Sequence, residues 1–216
     1  MARNILAIGA HFDDIELGIG GTIIQHILNG DNVIALVLSP SDYSNPEGKV
    51  IRERKTAINE GKKAMEILGV KNLIMLNFEI FKIEDNDELV VEILKIVEKE
   101  NIDLVYTTWH GDVHRDHRNL SKATIMATRH VPNVLMYCIN WYESFESFKP
   151  RIFSDITTVF DQKKQAVNAH KSEVKRVNNT WIKFIDAVSS YYGLKSGVER
   201  AEGFEVIKLR YPFPNT

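Results

Sequence analysis

Short, uninterrupted apolar runs alternate along this chain with longer stretches in which apolar residues recur every three or four positions. Ile5 to Gly9 is such a run, and Asn32 to Leu38, Asn72 to Phe78, Ile102 to Thr107 and Asn133 to Cys138, each with an apolar centre, read as further strands. A run without polar alternation suits a strand buried on both faces of a parallel sheet. Between these runs, Gly18 to Leu28, Val50 to Leu68, Asp87 to Glu100 and Asn119 to His130 read as helices; in the third, Leu89, Val90, Ile93, Leu94 and Val97 form one face. Asn29-Gly30 and Gly69 supply C-terminal caps for the first two. Ser39 to Lys49, with Pro40, Pro46 and Gly48, reads as a loop, and Asn140 to Pro150 as an irregular aromatic segment. Further on, Ile156 to Phe160 reads as a short strand, Phe160 to Arg176 and Asn179 to Tyr192 as helices, and Phe204 to Leu209 as a last strand before Pro212-Phe213-Pro214.

Strand–helix alternation with right-handed crossovers predicts a Rossmann-like, three-layer α/β/α fold with a mostly parallel sheet. A length of 216 residues suits one domain spanning 1–216, and no repeat, low-complexity tract or linker divides it. With 44% hydrophobic and 26% charged residues the chain has the profile of a globular protein with a sizeable core. The net charge of −2 gives no electrostatic case for nucleic acid or an anionic membrane. No run approaches the roughly 18 apolar residues of a membrane span, and the start is too short for a signal peptide. The one cysteine, Cys138, cannot form an internal disulfide and reads as a buried, inert thiol, which with the above predicts a cytoplasmic protein.

The chemistry concentrates in two loops. Ala10-His11-Phe12-Asp13-Asp14-Ile15-Glu16 follows the first strand, and His110-Gly111-Asp112-Val113-His114-Arg115-Asp116-His117-Arg118 follows the fourth. Loops after parallel strands open on one sheet edge, so segments about a hundred residues apart can meet there. His11 and Asp14 read as metal ligands and His117 as a third, which leaves a position open for water, as in catalytic zinc sites; Fe(II) accepts the same donors. Asp13 then fits the base that takes the proton of the attacking water. His114 faces the same cavity as an oxyanion stabiliser, oriented and raised in pKa by Asp116 or Asp112. Glu16 sits where the helix dipole favours an anion. The plainer reading of Asp13 and Asp14 is helix capping. His26, His130 and His170 have no partner cluster and are assigned surface or cap positions. Gly18, Gly20 and Gly21 lack the dinucleotide fingerprint and read as close helix packing. Trp141, Tyr142, Phe145 and Phe148 suit sugar stacking, a lid or an oligomer contact equally.

These motifs resemble those of the LmbE-like (PIG-L) de-N-acetylases, whose first motif reads A-H-P-D-D-x-E and whose second ends in H-x-D-H; Phe12 replaces the usual proline. The segment from Lys164 to Glu173, with His170-Lys171-Ser172-Glu173, resembles the family's K…H-x-S-Q, with Glu for Gln, so the likeness runs from about residue 4 to residue 176. It implies zinc on His11, Asp14 and His117, a general base at Asp13, and a carbonyl-polarising His114 partnered by Asp116. It implies an amino-sugar substrate, with Arg54, His110 and Trp141 as candidates for contact: the family's substrate-binding arginine falls at Ala57, and Arg54 is one turn earlier. Members of the family often form homo-oligomers; no surface signal in this sequence decides that matter. The implied reaction is metal-dependent release of acetate from an N-acetylglucosamine-type sugar or glycoconjugate. Two alternatives stand beside it: an amidase acting on another acyl-amine, such as a thiol-sugar conjugate, and a non-catalytic sugar- or nucleotide-binding domain.

Overall fold

The computed structural model describes residues 2–210. Its main sheet has seven strands: β1 (Asn4–His11), β2 (Asn32–Ser39), β5 (Asn72–Met75), β6 (Leu104–Thr108), β7 (Asn133–Tyr137), β8 (Ile152–Asp155) and β9 (Ala201–Lys208), while β3 (Tyr43–Ser44) and β4 (Val50–Arg52) form a separate hairpin. The strand order is β5-β2-β1-β6-β7-β9-β8. The first five are parallel, and β9 runs antiparallel to both its neighbours. The chain winds outward from β1 through β2 to β5, then returns to place β6 on the other side of β1. The carboxyl ends of β1 and β6 therefore flank the switch point, where an open α/β sheet leaves a crevice.

Along β1 the side chains alternate between two cores. Ile5 and Ala7 face one, with residues of α1 (Asp14–Leu28), α2 (Arg54–Leu68), α5 (Phe160–Asn168) and α7 (Thr180–Ser196). Leu6, Ile8 and Ala10 face the other, with residues of α3 (Asp87–Lys99) and α4 (Arg115–Ala127). This is the predicted three-layer architecture, and α6 (Lys171–Arg176) completes the helices.

Four predicted elements differ. The helix expected from Val50 starts only at Arg54, because Val50 to Arg52 pairs with Tyr43 and Ser44 as an antiparallel strand. The helix expected from Asn119 begins at Arg115, capped by the His114 side chain accepting the Asp116 amide. The strand expected at Ile156 to Phe160 lies earlier, at β8, and Thr157–Val159 is instead a 3-10 turn leading into α5. The helix expected to run from Phe160 to Arg176 breaks at Ala169–His170 into α5 and α6. Pro212-Phe213-Pro214 lies outside the described residues.

The first helix is itself broken. Ile19 leaves helical geometry (φ −138°, ψ 15°), which frees the carbonyl of Leu17 and the amides of Gly21 and Thr22. Two buried ions take them up. Lys163 donates to Leu17 O at 2.8 Å, and Glu202 accepts from Gly21 N at 2.9 Å and Thr22 N at 2.7 Å. The two ions then pair at 2.6 Å. The segment resembling K…H-x-S-Q thus places Lys163 inside, whereas Lys164 is partly exposed and pairs with Asp161. A cation at the end of the first half-helix and an anion at the start of the second each match the local dipole. The glycines pack closely, as expected: a Cβ on Gly18 would overlap the ring of Tyr137, whose hydroxyl donates to Ile8 O at 2.7 Å, and one on Gly21 would lie 2.6 Å from Ile156.

Lys163→Met strands the Glu202 carboxylate in the interior, and the expected loss, read by urea denaturation, is about 3–5 kcal/mol. Gly18→Ala is expected to cost about 1–3 kcal/mol in the same measurement, because the anchored Tyr137 cannot swing away.

Candidate active site

Potential ligand atoms of three residues meet at the crevice between β1 and β6. His11 Nδ1 lies 3.3 Å from His117 Nε2, His117 Nε2 lies 3.3 Å from Asp14 Oδ1, and Asp14 Oδ2 lies 3.7 Å from His11 Nδ1. Bonds of about 2.0–2.2 Å to a tetrahedral ion put ligand atoms roughly 3.3–3.6 Å apart, and the two edges at His117 Nε2 have that spacing. Each histidine carries a carboxylate on its far nitrogen. Asp116 Oδ2 is 3.0 Å from His11 Nε2, and Asp112 Oδ2 is 3.1 Å from His117 Nδ1, near enough to pair though outside hydrogen-bond geometry. Carboxylate backing of this kind fixes a ligating imidazole's tautomer and orientation. Asp14 is itself oriented by the amides of Ala10 and His11, which donate to Oδ2 at 2.8 and 3.0 Å. His11, His114 and His117 also approach one another, with one ring nitrogen from each within 4.8 Å of the others.

His114 differs from the other two histidines. Its Nδ1 accepts the Asp116 amide at 3.2 Å, which places the proton of the neutral ring on Nε2. Its ring stacks between His117 at 4.6 Å and Phe81 at 5.3 Å. Burial, with His117 and His11 beside it, pushes its pKa down to about 4. The expected partnership with a side-chain carboxylate is absent, since Asp116 turns to His11 and Asp112 meets His114 through the backbone amide rather than the ring.

Asp13 sits at the N-terminal cap position of α1 with φ 114°, and its side chain makes no capping bond. Burial, then the neighbouring Asp14, raise its pKa to about 7 against the pull of His170, Arg52 and His11. The capping reading therefore fails for Asp13, and the strained backbone serves to aim its carboxylate away from Asp14.

Arg54 is exposed and pairs with Asp42 at 3.2 Å and with Asn77. His110 lies against Trp109, and Trp141, 40% exposed, packs at a tilt against Tyr142 and Phe184. Among the described residues no hydrogen bond or ring contact joins these three to the histidine cluster. The arginine that the fold brings to Asp13 is Arg52 of β4, 3.5 Å from Asp13 Oδ2. A helix over Val50 to Leu68 conceals it, and only recognition of the hairpin reveals it. His170 and His26 are likewise interior rather than superficial. His170 Nε2 is 2.7 Å from Glu16 Oε1, and His26 bridges Tyr106 and Asp31. Cys138 is partly buried, and burial pushes its thiol up to about 12, as an inert role requires.

A histidine–carboxylate cluster at the switch point of a parallel sheet places this chain among α/β enzymes that do their chemistry at the carboxyl edge of the strands. The model of the GlcNAc-PI de-N-acetylase family (PIG-L) matches residues 6–128, more than half of the chain, and the chain belongs to that family. It is 28% identical to a diacetylchitobiose deacetylase of Thermococcus kodakarensis, over 95% of this chain and 83% of that protein. It is 31% identical to the uncharacterized deacetylase YaiS of Escherichia coli, over 79% of this chain and 91% of that one. The N,N'-diacetylchitobiose deacetylase of Pyrococcus horikoshii, solved with an inhibitor, shares the fold with a TM-score of 0.83 at 23% identity, covering 95% of this chain and 84% of that one. Among the described residues no helix is long and apolar enough to cross a membrane.

Burial pulls the His11 and His117 imidazoles down, but Asp14 with Asp116, and Asp14 with Asp112, outweigh it and raise them to about 9 and about 10. A raised folded pKa contributes stability that is complete below the unfolded value near 6.5 and lost as pH rises through the folded value. In chelator, the melting temperature is therefore expected to fall between pH 7 and pH 10, and His117→Gln to flatten that fall.

Proposed function

We propose that this chain is a metal-dependent de-N-acetylase of N-acetylglucosamine-type sugars or glycoconjugates. The observation that carries the reading is the convergence of His11, Asp14 and His117, with His117 Nε2 3.3 Å from both His11 Nδ1 and Asp14 Oδ1 and each histidine backed by a carboxylate. The donor set suits zinc, and iron(II) takes the same ligands. When bound, the cation would supply Lewis-acid polarisation of the acyl oxygen and of the attacking water. Asp13 takes the proton from that water as it adds to the acyl carbon. The protonated Asp13 returns the proton to the nitrogen as the C–N bond breaks, giving acetate and a free amino sugar. A carboxyl raised to about 7 exchanges protons readily in both directions near neutral pH. His114 stays neutral and offers its Nε2 proton to the oxygen of the tetrahedral intermediate, where one donor is worth about 10²–10³ in rate. Asp116 acts through His11, and Asp112 through His117, as orienting groups.

Trp141 offers a half-exposed ring for a sugar face, and His110 and Arg54 stand on the same edge of the sheet as candidate substrate contacts. The likeness to deacetylases supports acetyl as the acyl group, and the diacetylchitobiose deacetylase among them a chitobiose-type sugar as a first substrate to try. The lone Cys138 supports a reducing, cytoplasmic setting.

Acetate release from N-acetylglucosamine and diacetylchitobiose, measured beside metal content by elemental analysis, tests the reading. Wild type is expected to hold about one zinc or iron per chain, and His117→Ala to lose both metal and turnover. Asp13→Asn is expected to keep the metal and lose about 10²–10⁴ in kcat. Near-wild-type turnover in Asp13→Asn would sink the assignment of the base.

A further inference from the structure

Asp13 and Asp14 are adjacent acids at the start of one helix, and their counter-charges lie on opposite sides. Asp14 faces the two imidazoles. The one ion pair that Asp13 makes among the described residues is with Arg52, whose Nη1 is 3.5 Å from Oδ2. Arg52 is almost wholly buried, at 2% exposure, although arginine is rarely enclosed without partners. Its Nη2 donates to Glu60 Oε2 at 3.2 Å and to His170 Nδ1 at 3.1 Å. Each of those partners is held in turn. Glu60 accepts the Ser172 amide at 2.7 Å and its hydroxyl at 2.6 Å, and His170 Nε2 meets Glu16 Oε1 at 2.7 Å. The guanidinium is therefore fixed by α2, by the start of α6 and, through His170, by α1 itself. Nη1 is left for Asp13.

We infer that Arg52 is the positioning residue for the base: a guanidinium delivered by the β3–β4 hairpin that holds the Asp13 carboxylate apart from Asp14 and over the reacting atoms. The inference rests on the deacetylase reading for its activity assay. A planar fork that serves three partners at once cannot be copied by an ammonium, which offers a single point charge. Misplacement of a reacting group by about 1 Å can cost about 100-fold in rate.

The test compares Arg52→Lys and Arg52→Met with wild type in kcat, KM, metal content and melting temperature, with diacetylchitobiose as substrate. Lys63→Met removes a charge from the exposed side of α2 and serves as control. The expected result is a fall of about 100-fold in kcat for Arg52→Met, a smaller fall for Arg52→Lys, little change in KM, and full metal content in both. Full kcat in Arg52→Met overturns the inference. So does loss of activity that tracks loss of metal or of fold in both variants, which would make Arg52 part of the scaffold only. A wild type that releases no acetate from any N-acetyl sugar counts against the deacetylase reading instead. In that case a crystal structure of Arg52→Met decides the point, since Asp13 is expected to leave its wild-type rotamer and an unmoved Asp13 overturns the inference.

Discussion

The Lys163–Glu202 pair across the break in α1 is the constraint on which the site depends. A helix that starts with Asp14 and Glu16 must hold those residues against the sheet edge while its second half packs beneath α5 and β9. A straight helix cannot do both, and the break at Ile19 re-aims it. A break leaves backbone groups unpaired in the interior, which costs about 1–3 kcal/mol for each group left unsatisfied. Lys163 and Glu202 satisfy three of them and neutralise each other. They come from segments roughly 140 to 180 residues away in sequence, so the first turn of α1 is fixed by the far end of the chain.

The same logic of distributed charge runs through the cluster above it. Four carboxylates, Asp13, Asp14, Asp112 and Asp116, stand close together at one sheet edge. Their mutual repulsion is relieved by interleaving: His11 lies between Asp14 and Asp116, His117 between Asp14 and Asp112, and Arg52 beside Asp13. The interleaving is what makes the roles separable. Asp14, fixed by two backbone amides and flanked by imidazoles, is suited to hold a cation; Asp13, buried beside a like charge, is suited to hold and release a proton.

Much of this was legible in the sequence. Uninterrupted apolar runs mark the five parallel strands, and the two post-strand motifs mark the cluster, because local residue types decide both. What escaped depends on contacts distant in sequence. Arg52 is masked by helical periodicity that runs on into a hairpin whose partner, Tyr43-Ser44, is two residues long. His170 has no cluster of histidines or acids at ligand spacing beside it in sequence, and its reason for burial, Glu16, lies 154 positions away. The pairing of Asp116 with His11 rather than His114 follows from helix geometry. With His114 at the cap, Asp116 enters the first turn of α4 and points across to β1.

The separation of its parts gives the site an order of assembly. His11 and His117 are 106 residues apart, Glu16 and His170 are 154 apart, and the break in α1 is closed by a residue 181 positions from Gly21. Contacts so distant form late, after the loop-closure entropy of the intervening chain has been met. The nascent chain therefore presents no coordination sphere, and a cation cannot template folding as it does in a small zinc module. The polypeptide completes the crevice from its own contacts, with Asp14 set against both imidazoles. Whatever ligand this edge takes therefore enters a crevice the fold has already built, rather than one the ligand assembles around itself.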